Sequence, residues 1–245
     1  MKRILICSPK GGCGKSTLAR QLAVAAQTDR LPIATADLDP QKALTRWYLR
    51  RPEEKRRFPH YEVGWDDVGE LIEPDGIDDA DLLIVDTPPS VEAHPEGMKR
   101  LARASDLVLV PSKVTYDDVD SVIPYVTALR GAGIRLSVVL NATKPSVNTS
   151  FEKEAILRTG AEVCPVEIAD RTDYWRLSGR GLAILDLSRH PAIGEVRALW
   201  AFVRGRLGMP EGAQAADTSG STVGKGAQAR SARDTNAEER TDGAG

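Results

Sequence analysis

The ten residues from Ser8 to Thr17, SPKGGCGKST, follow the short apolar run ILIC and carry a dense set of chemically useful groups. Gly11, Gly12 and Gly14 let the main chain curl so that successive N–H groups point inward. Lys15, Ser16 and Thr17 then open a helix whose N-terminus favours an anion. In a loop of the pattern G-x-x-x-x-G-K-[ST], a lysine at position 15 reaches the β and γ phosphates of a nucleotide, and the Ser16 hydroxyl ligates Mg2+. Two features depart from that pattern. Pro9 stands where the first glycine belongs, and a second lysine, Lys10, lies inside the loop. Cys13 fills the variable position, which asks only for a small spacer.

A loop of this kind works only if a strand delivers it and a helix leaves it. Short apolar runs near 3–8, 32–37, 60–64, 82–86, 106–111, 134–140 and 162–166 read as strands, most followed by an amphipathic segment of helical period. The runs LLIVD and DLVLVP are apolar on both faces, as parallel strands covered by helices on each side must be. The fold class expected is α/β: a mostly parallel twisted sheet flanked by helices on both faces. Ligands of such sheets bind at the carboxyl ends of the strands.

The chain has 245 residues, 41% of them hydrophobic, enough for a sizeable core. It has no apolar run of membrane-spanning length and no secretory leader pattern, so a cytoplasmic protein is expected. Its three cysteines, at 7, 13 and 164, form no C-x-x-C pair, which argues against a disulfide framework or a zinc site. From about residue 209 the composition changes: the last stretch has no aromatic residue and only Val223 as a branched apolar one. The expected organisation is a domain over 1–208 and a disordered polar tail over 209–245. The stretch from Pro210 onward holds six of the 35 acids and four of the 33 bases, so the remainder is formally neutral. Polyanion binding would then depend on charge gathered onto one face.

KGGCGKST resembles the deviant Walker A box, KGGxGK[ST], of the ParA/MinD superfamily of P-loop ATPases. In that family the first glycine is normally absent and the early lysine reaches across a dimer interface to the nucleotide of the other subunit. The resemblance gives Lys10 that role and leaves Lys15 to the chain's own ATP. ADLDPQ is similar to the family's switch I segment, which places Asp37 near the Mg2+ shell and Asp39 where it positions the attacking water. DLLIVDTPPS resembles the Walker B and switch II segment, with Asp86 holding Mg2+ through water. VVLNATKP puts Asn141 where an adenine-contacting asparagine stands; N-K-x-D, which a guanine site would need, is absent, so ATP is expected.

ASDLVLVPSKVTYDDVDS is similar to a further strand and helix of ParA proteins, although Ser112-Lys113-Val114 replaces the usual turn, and DRTDYWRLSGRGLAILDL is similar to a stretch near the family's C-terminal end. The resemblance covers most of 1–208 and implies a small ParA-like ATPase that dimerises with ATP and Mg2+ and binds double-stranded DNA without sequence preference. It also implies reset through hydrolysis stimulated by a ParB-type activator or a cargo adaptor. Such a protein is cytoplasmic and nucleoid-associated, with no membrane partner. Arg176, Arg180, Arg197 and Arg204 are the expected DNA-binding residues, with the cluster Arg46 to Arg57 as the fallback. The rival readings are a MinD-like membrane-associated positioning ATPase, for which the helix near 193–207 would have to offer its apolar stripe, and a metabolic ATP-dependent ligase or kinase of the same superfamily.

Overall fold

The computed structural model of the chain describes residues 1–73, 77, 79–89 and 93–210. Eight strands form one sheet: β1 (Lys2–Ile6), β2 (Ile33–Asp37), β3 (His60–Glu62), β4 (Leu82–Asp86), β5 (Leu107–Ser112), β6 (Leu136–Thr143), β7 (Glu162–Val163) and β8 (Ile168–Ala169). Their order is β3-β2-β4-β1-β5-β6-β7, with β8 also paired to β6. Every pairing among the described residues is parallel. All seven strands read from the sequence are present. The eighth, two residues long, joins β6 across an irregular register between Asn141 and Thr143.

Alternation along the strands explains why the sheet needs helices on both sides. Ile4, Ile6, Leu82, Ile84, Leu107 and Leu109 pack with α1 (Lys15–Thr28) and α7 (Ile193–Leu207) on one face. Leu5, Leu83, Val85, Val108 and Val110 pack on the other with α3 (Pro95–Ala104), α4 (Tyr116–Gly131) and α5 (Ser150–Leu157). Two short helices, α2 (Ala43–Leu49) and α6 (Thr172–Ser178), complete the described elements that bear on the site. The apolar stripe of α7, Val196, Leu199, Trp200, Val203 and Leu207, is buried in the core. No helix among the described residues is long and apolar enough to cross a membrane. Residues 211–245, on which the expectation of a disordered tail falls, lie outside the described residues.

β1 is flanked by β4 and β5, so the chain reverses its direction of travel across β1, and the crevice of the sheet opens at the carboxyl end of that strand. Asp37 and Asp86 are partners in register at the ends of β2 and β4, and Ile6 is the partner of Asp86 on the other side. The fold therefore brings the loop after β1 and both acidic strand ends to one edge.

Candidate nucleotide site

Between β1 and α1 the main chain turns through two residues of positive φ, Gly12 at 70° and Gly14 at 101°. Gly14 is also the N-cap of α1, and no side chain caps that helix. Its first N–H groups are left to whatever anion enters the loop. A side chain at position 14 is excluded twice, by the φ value and because it would overlap the Asn141 amide. That amide donates to the Cys13 carbonyl at 2.6 Å, so Asn141, at the end of β6, is bonded to the loop itself. Cys13 is buried beneath the loop, while Gly11 and Gly12 are exposed and Ser16 and Thr17 half-buried.

The two loop lysines diverge. Lys15 is buried, and its Nζ donates to the Lys10 carbonyl at 3.1 Å, near the Cys13 Sγ. The Lys10 side chain leaves the loop for the start of α4, where its Nζ donates to the Asp117 carbonyl at 2.6 Å and lies 3.7 Å from an Asp118 carboxylate oxygen. A third lysine, Lys113 after β5, brings its Nζ to 3.9 Å from where a Gly12 side chain would begin, and has no carboxylate partner among the described residues. Cys7, behind the loop, is an inert thiol: burial pushes its pKa up to about 12.

The acidic residues differ in how they are held. Asp86 is fully buried, and neither carboxylate oxygen has a well-aligned hydrogen-bond partner. Burial pushes its pKa up to about 7, with the Ser16 hydroxyl, Arg20 and Lys15 pulling it down and Asp37 adding to the rise. A buried carboxylate without donors, beside a serine hydroxyl at a phosphate loop, suits a cation such as Mg2+, which keeps most of its waters and takes few protein ligands. No group of three or more His, Cys, Asp or Glu side chains suited to a metal occurs among the described residues. Asp37 is fully engaged instead: Oδ1 accepts from the Asp39 N–H at 3.0 Å, and Oδ2 from the Thr45 N–H at 2.9 Å and the Thr45 hydroxyl at 3.0 Å. It thus caps the start of α2 from the strand. Asp39, half-buried, turns its carboxylate to the Gln41 N–H at 2.8 Å.

Arg20 went unremarked in the sequence, although a charge set in the apolar run LARQLAVAAQ was the available signal. It bridges α6 and α2, donating to the Ser178 hydroxyl at 2.7 Å and the Ala43 carbonyl at 3.0 Å. Burial lowers its pKa while the charges of Asp86 and Asp37 raise it.

The expected DNA-binding residues separate into two groups. Arg176 and Arg180 are exposed and unpaired among the described residues, and Arg197 is exposed on α7. Arg204 pairs with Asp29 at 2.7 Å, and the same Asp29 oxygen accepts from the Trp200 indole. Within the fallback cluster, Arg51 is buried on the Trp47 ring and paired with Asp186, and Lys55 bonds the Asp186 carbonyl. Arg46 and Arg50, on and just after α2, are exposed.

A parallel sheet with helices on both faces, a glycine loop between its central strand and an uncapped helix, and a buried lysine in that loop define a P-loop nucleotide-binding protein. Residues 4–184 match the family model described as the CobQ/CobB/MinD/ParA nucleotide binding domain, and the chain belongs to that family. No curated protein matches the sequence. Among solved structures it is similar to the MinD cell division protein of Aquifex aeolicus, with 18% identity, a TM-score of 0.67, and coverage of 84% of this chain and 98% of that one. Cyanothece McdA, in its apo form, shares 17% identity with a TM-score of 0.65, over 84% and 99% of the two chains. A plasmid partition protein of Borrelia burgdorferi bound to AMPPNP shares 19% identity with a TM-score of 0.60, over 83% and 99%.

Proposed function

We propose that this protein is a ParA-like ATPase that binds ATP with Mg2+, dimerises in that state and attaches to duplex DNA without sequence preference. Hydrolysis, stimulated by a ParB-type activator or a cargo adaptor, resets it. The observation that carries the reading is the divergence of Lys10 and Lys15. Lys15 stays within its own loop, whereas the Lys10 ammonium lies at the rim with 35% of its side chain exposed. Its ion pair with Asp118 is long and partly solvated, and such pairs are worth about 0–1 kcal/mol. To meet a phosphate carried by a second copy, Lys10 would exchange this ion pair together with its exposed bond to the Asp117 carbonyl. In the nucleotide site, Lys15 and the loop N–H groups hold the phosphates, Ser16 and Asp86 hold the cation, and Asp39 orients water. Mg2+ held by Ser16 and Asp86 would offset the charge of the phosphates. The neighbouring structures support use in partition or positioning, one being a plasmid partition protein with an ATP analogue and another a cell division protein.

Size-exclusion chromatography with light scattering tests the division between the lysines. Lys10→Ala should retain ATP binding but stay monomeric with ATP, while Lys15→Ala should lose ATP binding. Equal loss of binding in both would confine Lys10 to its own subunit and remove the basis of the reading.

A MinD-like attachment to membrane is the second reading, favoured by the exposed Leu49 and Trp175, 65% and 64% accessible, on the short helices that also bear Arg46 and Arg176. Sedimentation with anionic vesicles, against a gel shift with random duplex DNA, each with ATP or ADP, distinguishes the two. A metabolic ligase or kinase of the superfamily would instead need neither surface and would turn over ATP only with its metabolite.

A further inference from the structure

Between the edge strand β3 and the segment that follows β2 runs a chain of hydrogen bonds whose direction is fixed by its last member. The Thr45 hydroxyl donates its one proton to Asp37 Oδ2 at 3.0 Å. His60 Nε2 lies 2.9 Å from the same hydroxyl oxygen, which can then only accept, so Nε2 carries the ring proton. Nδ1 is left as the acceptor for the Thr35 hydroxyl at 2.8 Å. The order is Thr35 to His60 to Thr45 to Asp37, and Asp37 in turn holds the Asp39 N–H. Tyr48 stacks on the His60 ring at 4.7 Å between centroids and is anchored by its own hydroxyl to the Phe58 carbonyl at 2.6 Å. Burial keeps the imidazole below its ordinary pKa, against the charges of Asp37 and Glu62, which agrees with a neutral ring.

We infer that His60 is a positioning residue for hydrolysis: as the neutral Nε2–H tautomer it fixes the Thr45 hydroxyl on Asp37, and through Asp37 it sets the main chain of Asp39. The inference rests on the reading of Asp39 as the group that orients the attacking water. The physical case lies in what the hydroxyl does without the ring. Without the ring the Thr45 hydroxyl is held at its donor side alone, and among the described residues Thr45 is the one side-chain hydroxyl on Asp37 Oδ2. Releasing it loosens the carboxylate that holds Asp39, and a displacement near 1 Å at a reacting group costs on the order of 100-fold in rate. Phosphate binding draws on Lys15 and the loop amides, none of which touches this chain.

His60→Leu removes both ring hydrogen bonds, His60→Gln keeps an amide N–H near the Nε2 position, and Thr45→Val removes the hydroxyl while keeping its shape. The expected result is a kcat for His60→Leu lowered by roughly tenfold or more, KM for ATP within about twofold, and partial recovery in His60→Gln. Thr45→Val should resemble His60→Leu, and the double variant should be no worse than either, because both break one chain. Nitrogen NMR of the wild type, assigned by difference against His60→Gln since the chain has only three histidines, should show the Nε2–H form whatever the activity. An Nδ1–H ring, a kcat unchanged in His60→Leu, or multiplicative losses in the double variant would overturn the inference while leaving the ATPase reading in place. A wild type that hydrolyses no ATP, alone or with DNA, removes that reading and this inference with it.

Discussion

The Asn141 side-chain amide donates to the Cys13 carbonyl and fills the space that any side chain at position 14 would need. An asparagine expected to read adenine is thus bonded to the loop that holds phosphate, and the two roles predict different losses. Asn141→Ala strands a carbonyl that had a good partner, at a cost of about 1–3 kcal/mol. If the bond to the loop is the one that matters, affinities for ATP and GTP should fall together, by roughly tenfold in equilibrium titrations. A loss confined to ATP would restore the adenine role. Gly14→Ala, strained at φ 101° and overlapping Asn141, should abolish binding of both nucleotides.

Asp39→Ala should leave ATP affinity largely intact while hydrolysis falls by about 100-fold or more, since the loop, Lys15 and Ser16 are untouched. The variant should accumulate as the ATP-bound dimer. Hydrolysis at the parental rate in a phosphate-release assay would remove Asp39 from its assigned role.

Asp86 gives a pH dependence whose sign is fixed. Its pKa is about 7 in the folded chain against 3.8 for an ordinary aspartate, so between these pH values the folded state holds a proton that the unfolded state releases. The stability associated with that proton is present below about pH 3.8 and lost as pH rises through about 7. Asp86→Asn, which cannot ionise, should therefore raise the melting temperature of the nucleotide-free protein by several degrees at about pH 8 and by less at about pH 5. It should also abolish the Mg2+ dependence of ATP binding. In the wild type, binding of ATP with Mg2+ should release a proton near pH 7, seen by calorimetry in buffers of different ionisation enthalpy. An Asp86→Asn protein less stable than wild type under the more alkaline condition would contradict this account.

Arg176 and Arg180 are unpaired among the described residues, whereas Arg204 is committed to Asp29, so their variants should separate binding from stability. Arg176→Glu/Arg180→Glu should weaken DNA binding in the ATP state and flatten the logarithmic salt dependence, the slope falling by about one for each phosphate no longer neutralised. Arg204→Ala should lower the melting temperature, because Asp29 also holds the Trp200 indole, with little change in DNA affinity. The reverse pattern would move the face to α7.

The loop was readable in the sequence because its groups lie within ten residues and their conformations are set locally by glycine. The strands were readable because both faces of a parallel sheet are apolar, though β8, two residues beside an irregular register, left no periodic trace. What escaped depends on distant partners. Arg51 reads as one charge in an exposed basic run, yet Asp186, far along the chain, draws it into the core. His60 reads as the start of a strand; its meaning comes from Thr35, set opposite it by the pairing of β2 with β3, and from Thr45 on α2. Lys113 reads as an oddity of its turn until β5 sets it over Gly12.

Asp37 caps a helix of only seven residues. Isolated helices shorter than about 12–15 residues are marginal in water, so α2 owes its persistence to its attachments rather than to its own length. Amide hydrogen exchange along Ala43–Leu49 should then serve as a meter of nucleotide state, slowing when the acidic strand ends are locked and quickening when they are released. Because Arg46 rides on this helix and Arg50 follows its last turn, such a meter would record, in a single peptide, the grip of the chain on phosphate and the readiness of its outer arginines.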